Sequence, residues 1–280
     1  MGSIKSKKLS WPAQAKKALG QNFLQNNGIA KALVGAAVID PEDTVVEIGP
    51  GKGMITQFLL ERVRKVIAVE KDEELFDFLK EKFSKEVAEK KIILVHGDIL
   101  KFNPSRYAIV ASDYKLIGAI PYNITGALFK YFLQKIKTPP KSIAFIIQRE
   151  VAQRILTKKE KRSGSIRGKE NLLSISIKAY GSPRYIKTVR RGSFWPIPKV
   201  DSAIFVIENI SKDFFETISE KKFFALLRAG FAHKRKFLVR NIENVSGYDT
   251  KTAFSICKIP ERARAEDLSL ENWRCLAKNL

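Results

Sequence analysis

Cysteine and histidine are both scarce in this chain of 280 residues. The two cysteines, Cys257 and Cys275, are too few for a disulfide scaffold and lack the spacing of a metal site. The two histidines, His96 and His233, stand alone and complete no ligand set. We therefore predict reduced structural thiols, a cytosolic chain and no metal centre.

Long apolar runs are also missing. No stretch approaches the ~20 consecutive apolar residues that a transmembrane helix needs, and the first residues lack the apolar core of a signal peptide. These two absences predict a cytoplasmic protein that has no membrane partner.

Acidic residues are few, because 51 lysines and arginines face 29 acids, which gives a net charge of +22. The excess comes in clusters and no lipidation motif accompanies it, so we predict an RNA partner rather than an acidic membrane surface. For the basic segment 158–169 we predict a loop that is disordered without RNA, with a solvated charge run as the alternative. The predicted RNA contacts are Lys158, Lys159, Lys161, Arg162, Arg167, Lys234, Arg235 and Lys236.

Short apolar runs alternate with longer mixed segments between Thr44 and Ser142. This alternation predicts an α/β fold with a mostly parallel sheet, in which ligands bind at the carboxyl ends of the strands. The predicted strands are "TVVEIG", "KVIAVE", "IILVHGD", "YKLIGAI" and "SIAFIIQ", and the predicted helices are "MITQFLLERV" and "DEELFDFLKEKFSKEVAEK".

The second half of the chain has a different pattern of apolar and polar residues. Two β-rich runs, "LLSISIKAY" (172–180) and "DSAIFVIENI" (201–210), predict an antiparallel pair that closes the sheet. After Ile210 the pattern becomes helical and predicts a small helical domain.

A glycine-rich turn follows the first strand in "VVEIGPGKGMIT", with glycines at 49, 51 and 53. Absent side chains allow a tight turn and bring backbone N–H groups close to a ligand, although a plain strand-to-helix connection would look the same. The dinucleotide fingerprint would place glycine at 54, where this chain has Met54, so a pyrophosphate site is disfavoured.

Acids stand at the ends of the next two strands. Glu70 lies where a carboxylate can accept both hydroxyls of a ribose, and Asp98 lies where an adenine amino group could be bound. Each alone could be a solvated strand end. Together with the glycine turn they predict a pocket for an adenosine-bearing cofactor without phosphates, and S-adenosylmethionine fits that description.

At this point the chain resembles the KsgA type of ribosomal RNA adenine dimethyltransferase, over residues 16 to 280. The resemblance implies a Rossmann-like S-adenosylmethionine-dependent methyltransferase sheet with a small C-terminal helical domain. It also implies a basic, disordered tail at 1–17, a catalytic domain at 18–208 and a helical RNA- or ribosome-binding domain at 209–280. The motifs that carry it are "LGQNFL", "EIGPGKG", "VIAVE", "GDIL", "IPYNIT", "FWPIPKVDSAI" and "GFAHKRKFLVRNI".

The activity implied by the resemblance is methyl transfer from S-adenosylmethionine to N6 of two adjacent adenines near the 3′ end of small-subunit RNA, twice per base. The expected partner is that RNA within the pre-30S or 30S particle, and the expected enzyme is a monomer. Carried over by position, the cofactor residues are Asn22, Leu24, Gly49, Gly51, Glu70, Asp98, Ile99 and Ala119.

The loop after the fourth strand, "AIPY", would hold the target base. The adenine nitrogen needs acceptors for its N–H groups rather than a strong base, and the family supplies an asparagine oxygen and the carbonyl of Pro121. Tyr122 and Phe194 would stack on a base swung out of its helix. Here Ala119 replaces the asparagine, and loss of one active-site hydrogen bond can cost about 10² to 10³ in rate. We therefore predict binding with weakened catalysis, in either an inactivated variant or a natural member of low activity.

Three functions compete on this evidence. The first is the small-subunit dimethyltransferase; the second is a large-subunit adenine methyltransferase of the antibiotic-resistance type, which shares "IPYNI" but fits "KVDSAI" less well. The third is a non-catalytic assembly factor that uses its charge to hold immature subunits. A dehydrogenase is a poor fourth, because the glycine fingerprint is incomplete.

Overall fold

A computed structural model describes residues 15–109, 113–156, 160–162, 165–167, 169–246 and 249–280. The chain divides into two compact units. One unit runs to Arg149 and adds Ile186–Val206, while the other combines Glu150–Tyr185 with Ile207–Leu280. Within the described ranges, no helix is long and apolar enough to cross a membrane.

The described residues contain eleven strands and eleven α-helices. The strands are β1 Phe23–Leu24, β2 Thr44–Ile48, β3 Lys65–Glu70, β4 Ile92–His96, β5 Tyr114–Ala119, β6 Ser142–Gln148, β7 Glu160–Arg162, β8 Ser165–Arg167, β9 Ser182–Val189, β10 Phe194–Trp195 and β11 Ser202–Glu208. The helices are α1 Asn27–Ala36, α2 Met54–Leu60, α3 Glu73–Lys82, α4 Ser84–Ala88, α5 Thr125–Lys130, α6 Arg149–Ile155, α7 Leu172–Lys178, α8 Glu220–Gly230, α9 Leu238–Ser246, α10 Thr250–Ile256 and α11 Leu270–Asn279.

The main sheet has seven strands in the order β4-β3-β2-β5-β6-β11-β9. Neighbouring strands from β4 to β6 are parallel throughout, which confirms the predicted α/β sheet. Buried β-branched and aliphatic residues dominate these strands, as expected when helices cover both faces of a parallel sheet. Their carboxyl ends therefore lie at one edge, where the turn after β2, Glu70 and Ala119 are found.

Within the run 172–180, Leu172–Lys178 form the helix α7, and the prediction of a strand there was wrong. Asn171 caps the helix in a reciprocal capping box with Ser174, which fixes the first turn despite the β-branched isoleucines. Ser174 through Ile177 are all buried, so serine and isoleucine alternate in a helix that is buried on several sides and not on the two faces of a strand. The edge strand next to β11 is instead β9, where Pro183 is tolerated because a sheet edge requires fewer ladder hydrogen bonds.

The two cysteines form a disulfide, so the prediction of free thiols was wrong. Cys257 directly follows α10, Cys275 lies within α11, and their Cα atoms are 5.7 Å apart. That separation is within the range a disulfide spans. Only the approach of the two helices brings the thiols together, and a spacing of 18 residues does not reveal it.

Candidate active site

One cavity at the carboxyl edge of the sheet gathers nearly all of the predicted site residues. Its lining is drawn from the N-terminal segment, four strand ends and the segment around β10. The predicted residues that line it are Asn22, Gly49, Gly51, Glu70, Asp98, Ile99, Ala119, Pro121, Tyr122 and Phe194. Leu24 is the exception, because it packs in the hydrophobic core and not on the cavity.

The glycine turn between β2 and α2 has its backbone in the left-handed region at Gly49, Gly51 and Gly53, with φ of 59°, 57° and 75°. These angles favour glycine because other residues are strained there. A Cβ at Gly49 would meet no atom within 4 Å, so the backbone is open at this point. A Cβ at Gly53 would lie 2.6 Å from Cε2 of Phe83, so that glycine serves packing instead.

Glu70, at the end of β3, ties two loops of the cavity together. Its Oε2 accepts a hydrogen bond from the Gly51 N–H at 3.0 Å, and its Oε1 accepts from the N–H groups of Lys71 and Asp72 at 2.8 and 2.9 Å. Burial raises the pKa of this carboxyl, and the three backbone donors oppose that rise. A carboxylate offers about four lone-pair sites, so acceptor capacity remains for a ligand hydroxyl.

Asp98 follows β4 on the same edge. Its Oδ1 accepts from the Leu100 N–H at 2.9 Å, and its Oδ2 pairs with Nζ of Lys71, also at 2.9 Å. Partial burial favours the neutral acid, but Lys71 and the Leu100 N–H outweigh it and hold the pKa below its ordinary value. Asp98 is therefore an ionised acceptor at neutral pH.

Two further acids lie close to residues of the cavity without lining it themselves, and they were not singled out from the sequence. Asp72 accepts from Nε2 of Gln21 and from Nζ of Lys16, each at 2.9 Å, and so anchors the N-terminal segment that forms one wall of the cavity. Its position two residues after Glu70 carries no pattern that announces this role.

The second is Glu47, which is fully buried in β2. Its Oε2 accepts from Oγ1 of Thr56 at 2.7 Å, whereas its Oε1 has no hydrogen-bond partner. Burial raises its pKa to about 8. A lone acid within the apolar run "TVVEI" was the available signal.

The segment after β5 carries the predicted base-binding residues. Ala119 presents only a methyl group, and the Ile120 N–H is held by the Ile146 carbonyl at 3.0 Å. The Pro121 carbonyl accepts from the Ile124 N–H at 3.2 Å, which leaves one of its two lone pairs. The Asn123 amide lines the same cavity, and its Oδ1 lies 3.1 Å from where a Cβ of Gly20 would be.

Phe194 reaches the cavity from a separate two-stranded ribbon. β10 pairs antiparallel with β1, with Leu24 opposite Phe194 and Phe23 opposite Trp195. Phe194 is 5% exposed, so its ring is nearly enclosed, and Tyr122 lines the same cavity. The structure thus brings together the two aromatic rings predicted to hold a base.

The predicted RNA contacts fall in three groups. Lys234, Arg235 and Lys236 are exposed in the turn between α8 and α9. Lys158 and Lys159 lie outside the described residues. Lys161, Arg162 and Arg167 belong to β7 and β8, which pair antiparallel, and this pairing differs from the disordered loop predicted for the segment.

The parallel sheet, its open glycine turn and the acid at the end of β3 define a Rossmann-like S-adenosylmethionine-dependent methyltransferase. The sequence matches the family described as ribosomal RNA adenine dimethylase over residues 13–280, and the chain belongs to that family.

Named relatives and solved structures agree with this membership. The chain is 38% identical to the ribosomal RNA small subunit methyltransferase A of Dehalococcoides mccartyi, over 99% of this chain and 92% of that protein. It is 35% identical to the protein of the same name from Fusobacterium nucleatum, over 94% and 96%.

Among solved structures, a dimethyladenosine transferase from Plasmodium falciparum superposes with a TM-score of 0.71 at 25% identity, covering 91% of this chain and 95% of that one. The 23S rRNA methyltransferase ErmE gives the same TM-score of 0.71 at 24% identity, over 92% and 99%, and shares the fold.

Proposed function

We propose that this protein transfers methyl groups from S-adenosylmethionine to N6 of two adjacent adenines near the 3′ end of small-subunit ribosomal RNA, within the pre-30S or 30S particle in the cytoplasm. The observation that carries the proposal is the meeting of Glu70, Asp98, Tyr122 and Phe194 around one cavity. Two carboxylates that can accept hydrogen bonds from a nucleoside thus line the same cavity as two aromatic rings, as expected for a cofactor site that opens onto a base site.

The cofactor side is suited to an adenosine without phosphates. Glu70 would accept from the ribose hydroxyls and Asp98 from the adenine amino group, while Gly49 leaves room for the remainder of the ligand. Asn22 and Ile99 would complete the walls. When bound, S-adenosylmethionine supplies a methyl group on a positively charged sulfur.

The base side needs acceptors and stacking rather than a proton-abstracting group. Delocalisation into the ring occupies the lone pair of the adenine N6, and hydrogen bonds from its N–H groups would turn that lone pair toward the methyl donor. The Pro121 carbonyl has a lone pair left for one such bond. Ala119 offers none, which is why we propose a reduced rate for this chain.

The basic surface would hold the RNA. The exposed turn with Lys234, Arg235 and Lys236 belongs to the segment 209–280, to which we assign RNA or ribosome binding by a monomeric enzyme. With a net charge of +22, phosphate neutralisation should dominate the affinity and make it strongly dependent on salt.

Two alternatives stay testable. The first is methylation of large-subunit RNA. The likeness to ErmE does not favour it, because that likeness is in the fold alone. The second is an assembly factor that binds subunits without methylating them, for which the missing acceptor at Ala119 is the specific observation.

The test is methyl incorporation into undermethylated ribosomal subunits by this chain and by its Ala119→Asn variant. Nucleosides from each RNA are identified by mass spectrometry, and Glu70→Ala serves as the cofactor-deficient control. We expect dimethyladenosine in small-subunit RNA from both proteins, with about 10² to 10³ times faster formation by Ala119→Asn. Label in large-subunit RNA would support the first alternative. No label from either protein, with tight subunit binding, would support the second.

A further inference from the structure

Trp195 is exposed beside the cavity although it is a large aromatic residue. The next residue toward the N-terminus, Phe194, is 5% exposed, whereas Trp195 is 42% exposed. The contrast follows from the strand geometry of β10, because successive side chains of a strand point to opposite faces. Packing therefore explains why Phe194 is aromatic, whereas much of the Trp195 ring is open to solvent and has no such explanation.

A cation holds the Trp195 ring in place. Nζ of Lys52 lies 5.5 Å from the centroid of Trp195 and 5.1 Å from the centroid of Phe23, which is opposite Trp195 in the ribbon. Phe23 in turn lines the cavity. The ring is thus fixed in position next to the site while part of its surface remains free, as a preorganised stacking platform requires.

The surroundings are apolar and basic together. Ile197 and Val200, two and five residues beyond Trp195, are 63% and 43% exposed. Arg191 and Lys199 are exposed on either side along the chain. The one acid among them, Asp201, accepts from the Arg191 N–H and is already paired with the guanidinium of Arg190.

We infer that Trp195 and Lys52 form a subsite that stacks an unpaired RNA base flanking the adenine held in the cavity, with nearby basic side chains on its phosphates. Exposed aromatic rings interleaved with lysine and arginine are the pattern by which proteins hold single-stranded nucleic acid. The inference rests on the proposed function, because it takes RNA as the molecule that crosses the cavity. It adds a residue that positions the strand and not one that reacts.

The first experiment measures tryptophan fluorescence as a single-stranded RNA oligonucleotide that carries the target adenines is added. The titration is made in a Trp11→Phe background, so that Trp195 and the fully buried Trp273 are the two tryptophans that remain. We expect RNA to quench the emission of this background protein and most of that quenching to be lost when Trp195→Phe, which retains a stacking ring, is added. A quench of equal size in Trp195→Phe would overturn the inference.

The second experiment compares oligonucleotide affinity and kcat/KM for the same RNA. Truncation of a stacked aromatic ring should weaken RNA binding by about 5- to 100-fold in Trp195→Ala, while Trp195→Phe stays within about threefold of wild type. Ile256→Ala removes another exposed apolar side chain, from α10, and should leave RNA affinity and kcat/KM unchanged. S-adenosylmethionine affinity should be the same in all three variants, because Trp195 does not line the cavity.

The outcomes separate this inference from the proposed function. Normal methylation and RNA affinity in Trp195→Ala would overturn the subsite and leave the methyltransferase intact. RNA binding that depends on Trp195, without methylation by either the wild type or Ala119→Asn, would retain the subsite and refute the activity. If Trp195→Ala bound the proteins of the ribosomal subunit less tightly while its RNA affinity stayed unchanged, the surface around Trp195 would belong to a protein partner and the inference would be overturned.

Discussion

The phenolic oxygen of Tyr122 lies 2.8 Å from Oγ of Ser202, at hydrogen-bonding distance between the segment after β5 and the start of β11. Burial raises the pKa of Tyr122, against the opposing effect of the Ser202 hydroxyl. The phenol is therefore neutral at physiological pH and acts as an anchor for its ring. Its proposed contribution is a fixed aromatic surface and not proton transfer.

Tyr122→Phe and Tyr122→Ala should consequently differ. The phenylalanine variant keeps the ring and loses one hydrogen bond, so we expect kcat/KM within about fivefold of the parent. The alanine variant loses the stacking surface, and we expect a fall of about 5- to 100-fold. Both are measured in the Ala119→Asn background, with S-adenosylmethionine affinity as the control that should not move. Equal losses in the two variants would mean that the hydroxyl is the important group.

Replacement of Glu70 by glutamine should weaken the cofactor site. The amide keeps only one acceptor oxygen where the carboxylate serves the N–H groups of Gly51, Lys71 and Asp72. Hydrogen bonds to charged groups contribute about 1.5 to 3 kcal/mol, so we expect the Kd for S-adenosylmethionine to rise by roughly 10- to 100-fold. Titration calorimetry measures it. The comparison variant is Lys71→Met, which removes the lysine that pairs with Asp98. An unchanged Kd in Glu70→Gln would contradict the assignment of Glu70 to the cofactor site.

Glu47 should make stability depend on pH. Its folded-state pKa of about 8 lies above the ordinary 4.5, so between these values the folded protein holds a proton that the unfolded chain has released. The stabilisation that the protonated Glu47 contributes is complete below pH 4.5 and is lost as the pH rises through the folded-state pKa of about 8. The slope approaches about −1.4 kcal/mol per pH unit.

Denaturant unfolding of the wild type and of Glu47→Gln from pH 5 to pH 9 tests this dependence. The difference in unfolding free energy between the two proteins should shift in favour of the variant as the pH rises, because glutamine cannot ionise. A difference that is constant across the range would show that Glu47 keeps its ordinary pKa.

Reduction should destabilise the unit that contains Ile207–Leu280. The Cys257–Cys275 disulfide closes a loop with a sequence separation of 18, and cross-links of that size contribute about 3 kcal/mol by restricting the unfolded chain. We expect unfolding midpoints to fall when a reductant is added to the wild type. The double variant Cys257→Ser with Cys275→Ser should unfold at the reduced protein's midpoint and be indifferent to reductant. An identical midpoint with and without reductant would contradict the cross-link.

Local patterns predicted the parallel sheet and the glycine turn, Glu70 and Asp98 of the cavity because these residues are tied to strand ends, whereas the remaining cavity residues came from the resemblance to the family. Glu70 ends its strand, Gly49 directly follows β2 and Asp98 is two residues beyond β4, so a correct strand assignment already brings them to one edge. Ala119 was identified through the resemblance to the family, whose motif has asparagine at this position. The roles of these residues stay predictions until the variants are measured.

The missed disulfide and the missed role of Asp72 have a different cause, since both depend on contacts between distant segments, whereas α7 was missed although its cap, Asn171, is local. A serine–isoleucine run reads as a strand until Asn171 and burial on all sides make it a helix. The thiols meet only through α10 and α11, and Asp72 gains its partners from the N-terminal segment 51 and 56 residues away. No local pattern carries such information.

The walls of the cavity extend along the chain from Ala18 to Ser202. A ribosome making this protein must therefore release Ser202 from its exit tunnel before the pocket can close, whatever has folded earlier. Nascent chains that end before β10 lack Phe194 and half of the ribbon, so they hold the glycine turn and its acids without an enclosed site. During its own synthesis the protein thus completes its pocket only after β10 and the start of β11 have emerged.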